Sequence, residues 1–380
     1  MSVAVERVAD TQAFSDTDKV LADVETIARE QLKPLANRID QEGFYPVDTL
    51  QALGEAGAFA CHLDQYGQRF DVALQTMQSI SRYCGSTGFV AWCHDVCGLY
   101  MEQSANPSLL ARLPAHALAQ TMGGTALSNP MKAITGIENM ALTAEPVDGG
   151  YVVSGTLPWV SHIRPGQYCG AIAGVKAANS SRISHEMMFL LDVNDAVALR
   201  KCPKFSAMEG TSTWAIALDK YFVGTESIIA DPLGPYIQKI RAAFILLQMG
   251  IGIGVCQGAI DSILEVEADL GHVNQFLHDR PQELLAEFEE IGARTMALAK
   301  TPYAQEKEFL LDVLDLRAQA SEFGLKATQS ALLHQGARGY LMQSPVQRRI
   351  REAQFVAIVT PAIKHLRWEM NKLMSEPVRV

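Results

Sequence analysis

The sequence predicts an α+β chain of three consecutive parts: an N-terminal α-helical region, a middle β region, and a C-terminal set of long helices. Three observations carry this. Over the first hundred or so residues, apolar side chains recur at three-to-four spacing, the period of a helix with one buried face. Near Gly123 the pattern changes to short runs rich in Val, Ile, Tyr and Thr, separated by glycine or proline. From about Pro235 helical periodicity returns and persists. The parts are bounded at residues 1–120, 121–234 and 235–380.

In the first part, Asp18–Asp40 and Thr49–Phe59 carry the helical pattern, and Gly67 and the Gly85 region punctuate it. Gly88–Gln103 is a third helical stretch, rich in aromatic and small residues. In the second part, Tyr151–Val153 follows the turn Asp148-Gly149-Gly150, and Met187–Val193 is another strand. Trp214, Ile216 and Leu218 alternate with smaller or polar residues, as a half-buried strand requires. Short strands about ten residues apart suggest a compact β barrel or sandwich. In the third part, Arg241–Leu270, Pro281–Ala299, Pro302–Ser330 and Pro345–Met374 are long and periodic. Pro281 and Pro302 stand where a helix can begin.

Composition narrows the function. Hydrophobic residues make up 48% of the 380 and charged residues 19%, which excludes a disordered chain and favours a large core. A net charge of -10 leaves no basic footprint for nucleic acid. Seven cysteines are too sparse for a disulfide scaffold, and the odd number fits a reducing cytoplasm. Met1–Lys19 is polar and acidic, without the apolar core of a secretory signal, so a cytoplasmic location is expected. Ala242–Ile260 is uncharged and close to the length of a membrane span. Its Gln248, Gln257 and four glycines argue instead for a buried bundle helix or a subunit contact. Gly250, Gly254 and Gly258 recur every fourth residue and allow another helix to approach closely.

Several chemistries find no support. Cys93-His94-Asp95-Val96-Cys97 lies on a helical stretch with no second Cys/His pair at structural-zinc spacing, so these read as small buried cysteines and no metal is assigned. His334 and His365 are isolated and receive no chemistry. There is no G-x-S-x-G elbow and no cysteine in a recognisable protease context. Gly250-Ile251-Gly252-Ile253-Gly254 lacks the preceding strand of a dinucleotide fingerprint.

The informative pattern is distributed. It begins with Cys61–Gly67 (CHLDQYG) and Leu127-Ser128-Asn129-Pro130, and continues with Trp159-Val160-Ser161-His162 and Glu209-Gly210-Thr211-Ser212-Thr213. It ends with Gly336-Ala337-Arg338-Gly339-Tyr340, Ser344–Arg348 and Arg351-Glu352-Ala353. In order and spacing this resembles the acyl-CoA dehydrogenase family, with its P-x-x-Y-G, T-E-P, W-I-[ST]-N, R-x-S-x-T, G-G-x-G-[YF], P-V-x-[RK] and R-D-A segments. The resemblance spans nearly the whole chain. It implies an N-terminal helical domain, a middle β-barrel domain and a C-terminal four-helix bundle. It also implies an FAD cofactor and the α,β-dehydrogenation of an acyl-CoA, in which a base takes the α-proton and the flavin accepts the β-hydride. Trp159 offers an apolar face to the flavin ring, and Ser128, Ser161 and the main chain at Leu127 and Ser128 offer hydrogen bonds to its polar edge. Gly336 and Gly339 would serve the flavin of a neighbouring subunit.

The departures from the family are specific. Its catalytic glutamate falls, counting from Arg351, on Thr360, which is no base at neutral pH, although its main-chain N–H can still polarise a thioester carbonyl. Glu265, Glu267 and Asp269 are candidates for a displaced base, with a solvated helix end as the simpler reading. The arginine that serves the flavin diphosphate is missing from Leu270–Asn274, and Asn129, Glu209 and Leu333 replace further family residues. The primary expectation is an acyl-CoA dehydrogenase-like flavoprotein with an acyl-CoA substrate, in fatty acid metabolism. Its electron acceptor would be electron-transfer flavoprotein or oxygen. The alternatives are a base-deficient subunit of a mixed assembly and a flavin-dependent monooxygenase of the same fold. A homotetramer built from dimers through the C-terminal helices, or a hetero-oligomer with a homologue, is expected. The small residues Gly85–Gly88 and Gly250–Gly258 are expected to shape the acyl pocket.

Overall fold

A computed structural model describes residues 14–177 and 180–375. The N-terminal helices are α1 (Thr17–Ile27), α2 (Lys33–Glu42), α3 (Val47–Glu55), α4 (Phe70–Tyr83), α5 (Gly85–Gln103) and the short α6 (Pro107–Leu110) and α7 (Leu113–Ala117). The periodic stretch Asp18–Asp40 is therefore two helices, joined by a π-helical turn at Ala28–Leu32. The middle region holds β1 (Gly123–Thr125), a helix α8 (Ser128–Ile134), β2 (Leu142–Val147), β3 (Gly150–Val160), β4 (Tyr168–Lys176), β5 (Ile183–Asp192), β6 (Val197–Lys201), β7 (Trp214–Gly224) and β8 (Ile228–Ala230). The last helices are α9 (Gly234–Asn274), α10 (Pro281–Leu298), α11 (Lys307–Gln335), α12 (Pro345–Ile358) and α13 (Ile363–Ser375).

The eight strands form one sheet in the order β6-β7-β3-β2-β4-β5-β8, with β1 added in parallel to β4. Two apolar cores result: one among the helices and one beneath the sheet. Two sequence expectations change, and Ser128–Ile134 adds a helix inside the β region. The helix expected to start at Pro302 starts at Lys307, after a turn. The long run Pro345–Met374 is broken between α12 and α13, where Pro361 cannot continue a helical ladder.

The uncharged helix α9 also resolves. Among the described residues it alone is long and apolar enough to cross a membrane, yet 94% of its most apolar window is buried inside the chain. Within Ala242–Ile260 only Gln257 is less than buried. The run is a bundle core and not the subunit contact that was its alternative. Its glycines face α4: a Cβ on Gly254 would overlap the Gln78 carbonyl oxygen and stand 2.5 Å from Ser81 Cβ. Gly88 likewise packs on Ser81, so these small residues close helix contacts and do not open an acyl pocket.

Candidate functional site

The site lies where the sheet meets the last two helices. Trp159 stands near the end of β3 and is 58% exposed, a large flat face left open. Among the described residues its one ring neighbour is Phe205, edge-on at 6.2 Å. Thr125 and Ser161 form an antiparallel bridge, which sets Ser161 beside the loop carrying Leu127 and Ser128. Ser128 Oγ meets Thr360 Oγ1 at 3.1 Å. The structure thus brings Ser128 to Thr360 from 232 residues away, with Ser161 bridged to the strand that precedes Ser128 and Trp159 two residues before Ser161. The Leu127 side chain is buried in the helical core, so only its main chain is available to a ligand.

The hydroxyls are directional. Thr211 Oγ1 donates to the Met208 carbonyl at 2.7 Å, so it accepts from Thr213, 2.8 Å away. Thr213 then accepts from Ser161 at 2.7 Å. Each hydroxyl has one proton, so Ser161 presents only lone pairs to a ligand. It suits an N–H donor on a ring edge.

The Thr360 turn is held from behind. Gln248 of α9 donates to the Thr360 carbonyl at 2.8 Å and accepts from Arg317 Nε at 3.1 Å. Arg317 also donates to the Val356 carbonyl at 2.8 Å and to Ser321. This guanidinium is fully buried, and burial pulls it down to about 10, so it remains a cation at neutral pH. Its partners are neutral, and its counter-charge is the negative end of α12, whose last carbonyls it caps. Neither Thr360 nor Gln248, the α9 residue that reaches it, is a carboxylate. Glu265 and Asp269 are exposed and Glu267 is half-buried. They lie seventeen to twenty-one residues beyond Gln248 on the same helix, about 25 Å or more away at 1.5 Å per residue. That separation removes all three as a base for this site.

Gly336 and Gly339 sit elsewhere. They precede α12 while Thr360 follows it, and a fourteen-residue helix spans about 20 Å. Gly336 is exposed in the left-handed region (φ 59°), and Gly339 packs on Gln335 and Leu332. One chain therefore cannot apply both groups to the same flavin ring. Asn129 pins its own loop, accepting from Ala141 N at 2.9 Å and donating to the Asn139 carbonyl at 2.9 Å. Glu209 does the same for Phe205 N at 2.6 Å. These two departures from the family are filled by structural roles.

Two clusters escaped the sequence reading because their members are far apart in the chain. His365 is not isolated: its Nε2 meets Glu369 at 3.1 Å and Thr135 at 3.3 Å, and Arg241 pairs with Glu369, tying α8, α9 and α13 together. Burial opposes the charge on Glu369, but His365 and Arg241 outweigh it and hold the carboxyl below its usual range. The second cluster lies under β1. His94 and His116 stack at 3.7 Å, each Nε2 donating to the other's carbonyl at 2.9 Å. His94 Nδ1 accepts from Gly123 N at 3.3 Å, and His116 Nδ1 accepts from the Tyr168 hydroxyl at 2.8 Å. His162 bonds the Tyr45 hydroxyl at 2.8 Å, and His62 donates to the Asp95 carbonyl at 2.9 Å. All four imidazoles are fully buried. Burial lowers His62 to about 3 and His94 to about 4, and lowers His116 and His162 well below the ordinary value.

Acid should therefore unfold the chain early. A histidine held neutral by the fold contributes its full stability above the unfolded value of about 6.5, and loses it as pH falls toward the folded value. At pH 5 each of these four costs on the order of 2 kcal/mol. Buried Asp95 has the opposite sign: burial raises its carboxyl well above the ordinary value, so it regains stability as pH falls and offsets part of the loss. The melting temperature is expected to drop from pH 6.5 to pH 4.5, more steeply in Asp95→Asn. A melting temperature unchanged to pH 5 would contradict this assignment.

The α-β-α order, with a single sheet between two sets of helices, is the architecture that the comparisons with known proteins find again. Residues 15–114 match the family described as acyl-CoA dehydrogenase, N-terminal domain. The chain is 23% identical to isovaleryl-CoA dehydrogenase, mitochondrial, of Oryza sativa subsp. japonica over 372 residues, covering 92% of this chain and 89% of that one. Its fold matches butyryl-CoA dehydrogenase from Megasphaera elsdenii with a TM-score of 0.82 at 15% identity, over 99% of this chain and 100% of the other. It also matches the HsaA monooxygenase from M. tuberculosis with a TM-score of 0.78 at 15% identity, over 95% and 100%. The chain is thus similar to the acyl-CoA dehydrogenase family, in its N-terminal region by sequence and over its whole length by fold.

Proposed function

We propose that the chain is an FAD-binding, acyl-CoA dehydrogenase-like oxidoreductase that acts on an acyl-CoA without a carboxylate base at the usual position. The observation that carries this is the contact of Ser128 with Thr360, with Ser161 and the open face of Trp159 on the adjoining strand end. The ring part of a flavin fits: an open indole face, an acceptor at Ser161, and hydroxyls at Ser128 and Thr360. The diphosphate part is poorer, because Leu270–Asn274 contains no arginine. The flavin, when bound, supplies a hydride acceptor for the acyl β-carbon. The Thr360 N–H is the donor to the thioester oxygen, and the Gln248–Arg317 pair fixes the turn that presents it. The Thr360 hydroxyl is too weak a base to take the α-proton, so that proton passes to solvent water as the hydride leaves, and this is the slow step.

Support for an oligomer now comes from a different surface. Val273, Phe276, Leu333, Tyr340, Leu341 and Met342 are large apolar side chains left 51–84% exposed at the end of the bundle that carries Gly336 and Gly339. Such a patch is what a second subunit covers. That arrangement supports a homotetramer, or a hetero-oligomer with a homologue, in which Gly336 and Gly339 serve the partner's flavin. Electron-transfer flavoprotein or oxygen would then receive the electrons.

The test is anaerobic mixing of the flavin-loaded protein with butyryl-CoA. Wild type should bleach the flavin slowly, and Thr360→Glu should bleach it at least about a hundredfold faster, the scale of a positioned base. If Thr360→Glu retains flavin and gains nothing, the assignment of Thr360 is wrong. Fast bleaching by wild type would mean that a base exists elsewhere. One further reading draws on the same absence of a carboxylate at Thr360 and Gln248. A flavin monooxygenase needs no α-proton base, and oxygen uptake with a hydroxylated product in the absence of any acyl-CoA would favour it.

A further inference from the structure

The loops that carry the hydroxyl chain are strained where glycine would be free. His162, Met208 and Ser212 all stand in the left-handed region, at φ 60°, 68° and 49°. A side chain there costs free energy, and glycine is the residue that avoids it. The three lie on two facing loops, one after β3 and one before β7. Main-chain bonds join the loops: His162 N donates to the Thr211 carbonyl at 2.8 Å, and Ile163 N donates to the Ser212 carbonyl at 3.1 Å. Ser161 and Thr213, which meet at 2.7 Å, sit inside this unit.

Burial accounts for two of the three. Met208 packs in the helical core, and His162 is buried with its Nδ1 2.8 Å from the Tyr45 hydroxyl. Ser212 is different, being half-buried and small. Its hydroxyl donates across the gap to the Ile163 carbonyl at 2.9 Å and accepts from the Trp214 indole N–H at 3.3 Å. This is a third link between the loops, beside the two main-chain bonds. It is made by the residue between Thr211 and Thr213, and it lands two residues after Ser161, so it fixes the separation across which Ser161 meets Thr213. Strain of this kind persists only where the surroundings over-determine it, and it gathers at ligand sites.

We propose that Ser212 is a positioning residue for the Trp159–Ser161 site: by tying the two loops together it keeps Ser161 donating to Thr213, so that lone pairs and not a proton are offered to the ring edge of a flavin. This rests on the flavin reading above. Without the tie the loops are free to part, the Ser161 hydroxyl turns, and the ring edge meets no fixed acceptor. The left-handed conformation at Ser212 is what the tie costs.

Titration of the purified full-length chain with FAD, followed by flavin fluorescence, is set beside thermal unfolding of the same samples. Ser212→Gly removes the hydroxyl and the left-handed strain together. It should melt within about 1 °C of wild type, because relief of the strain offsets the lost hydrogen bond and the greater freedom of glycine in the unfolded chain. It should nevertheless bind FAD about tenfold more weakly, the scale of one hydrogen bond. Ser212→Ala removes the hydroxyl and keeps the strain, so it should lose the same factor in affinity and melt about 3 °C lower. Affinity then falls without stability in the glycine variant, which a merely structural serine would not produce. The proposal is overturned if either variant binds FAD like wild type, or if affinity falls only in step with melting temperature. In both of those cases the flavin reading survives. If wild type binds no FAD, that reading falls and this one with it.

Discussion

Gly254→Leu is expected to abolish the cooperative fold of the C-terminal half. At this position α9 crosses α4 so closely that even a methyl group would overlap the Gln78 carbonyl and stand 2.9 Å from Arg82 N. Both obstacles are backbone, so no side-chain rotation can relieve them. Gly258 is held the same way, its Cβ position 2.5 Å from the Arg82 carbonyl. Overpacking a core side chain typically costs about 1–3 kcal/mol, and displacing a helix backbone costs more. The variant should be insoluble or lack a cooperative thermal transition, while Gly292→Leu, where a Cβ meets nothing within 4 Å, should melt like wild type. Normal folding of Gly254→Leu would mean that α4 and α9 do not cross there. The effect falls within one chain, so subunit dissociation alone, with helicity retained, would also contradict the account.

Glu352→Ala should be nearly as damaging, by a different mechanism. Glu352 is 1% exposed, accepts from Gly85 N at 3.0 Å and faces Arg348 Nε at 3.3 Å. Burial raises its carboxyl above the ordinary value, while Arg348 and Arg349 pull it back. Arg349 is itself buried, its guanidinium lowered to about 10 by that burial. Removing the carboxylate leaves two guanidinium groups and the Gly85 N–H in a low-dielectric interior without it. Breaking a buried pair in this way costs about 3–5 kcal/mol. Thermal unfolding should show a loss of that order for Glu352→Ala, and a smaller one for Glu352→Gln, which keeps a hydrogen-bond acceptor. Equal stability of Glu352→Ala and wild type would remove the network from the account. Neighbouring Arg351 makes a bidentate pair with Asp40 at 2.6 and 2.8 Å, so the Arg351-Glu352-Ala353 segment anchors α12 to the N-terminal helices.

The order of helices, strands and helices was legible because each part repeats one spacing many times, and local periodicity survives in any tertiary context. Where the signal was short, tertiary structure decided. Ser128–Ile134 is too brief for its period to show, and Pro302 looked like a helix start although the turn continues to Glu306. The site was partly legible. Thr360 could be counted from Arg351 because α12 is regular, and Trp159 and Ser161 stood in a motif of fixed spacing. Gln248 and Arg317 could not be found this way. Gln248 reaches Thr360 from 112 residues earlier and Arg317 holds Gln248 from 43 residues before Thr360, and only the packing of α9 and α11 around α12 brings them together. The stacked pair His94 and His116, and the pair His365 and Glu369 with Arg241, are invisible for the same reason. The exposed residues at the end of the bundle form a patch only once Phe276 and Tyr340 are seen on one surface.

Trp159, Ser128, Ser161 and Thr360 are proposed as the ring site of a flavin despite the missing carboxylate and diphosphate arginine. The most direct measurement is the visible absorbance spectrum of the purified protein, read as flavin per chain, beside that of Trp159→Ala at equal folded concentration. One flavin per wild-type chain is expected, with Trp159→Ala folded but largely stripped of it. A folded wild type that binds no flavin, or a Trp159→Ala variant that retains the full amount, would contradict it.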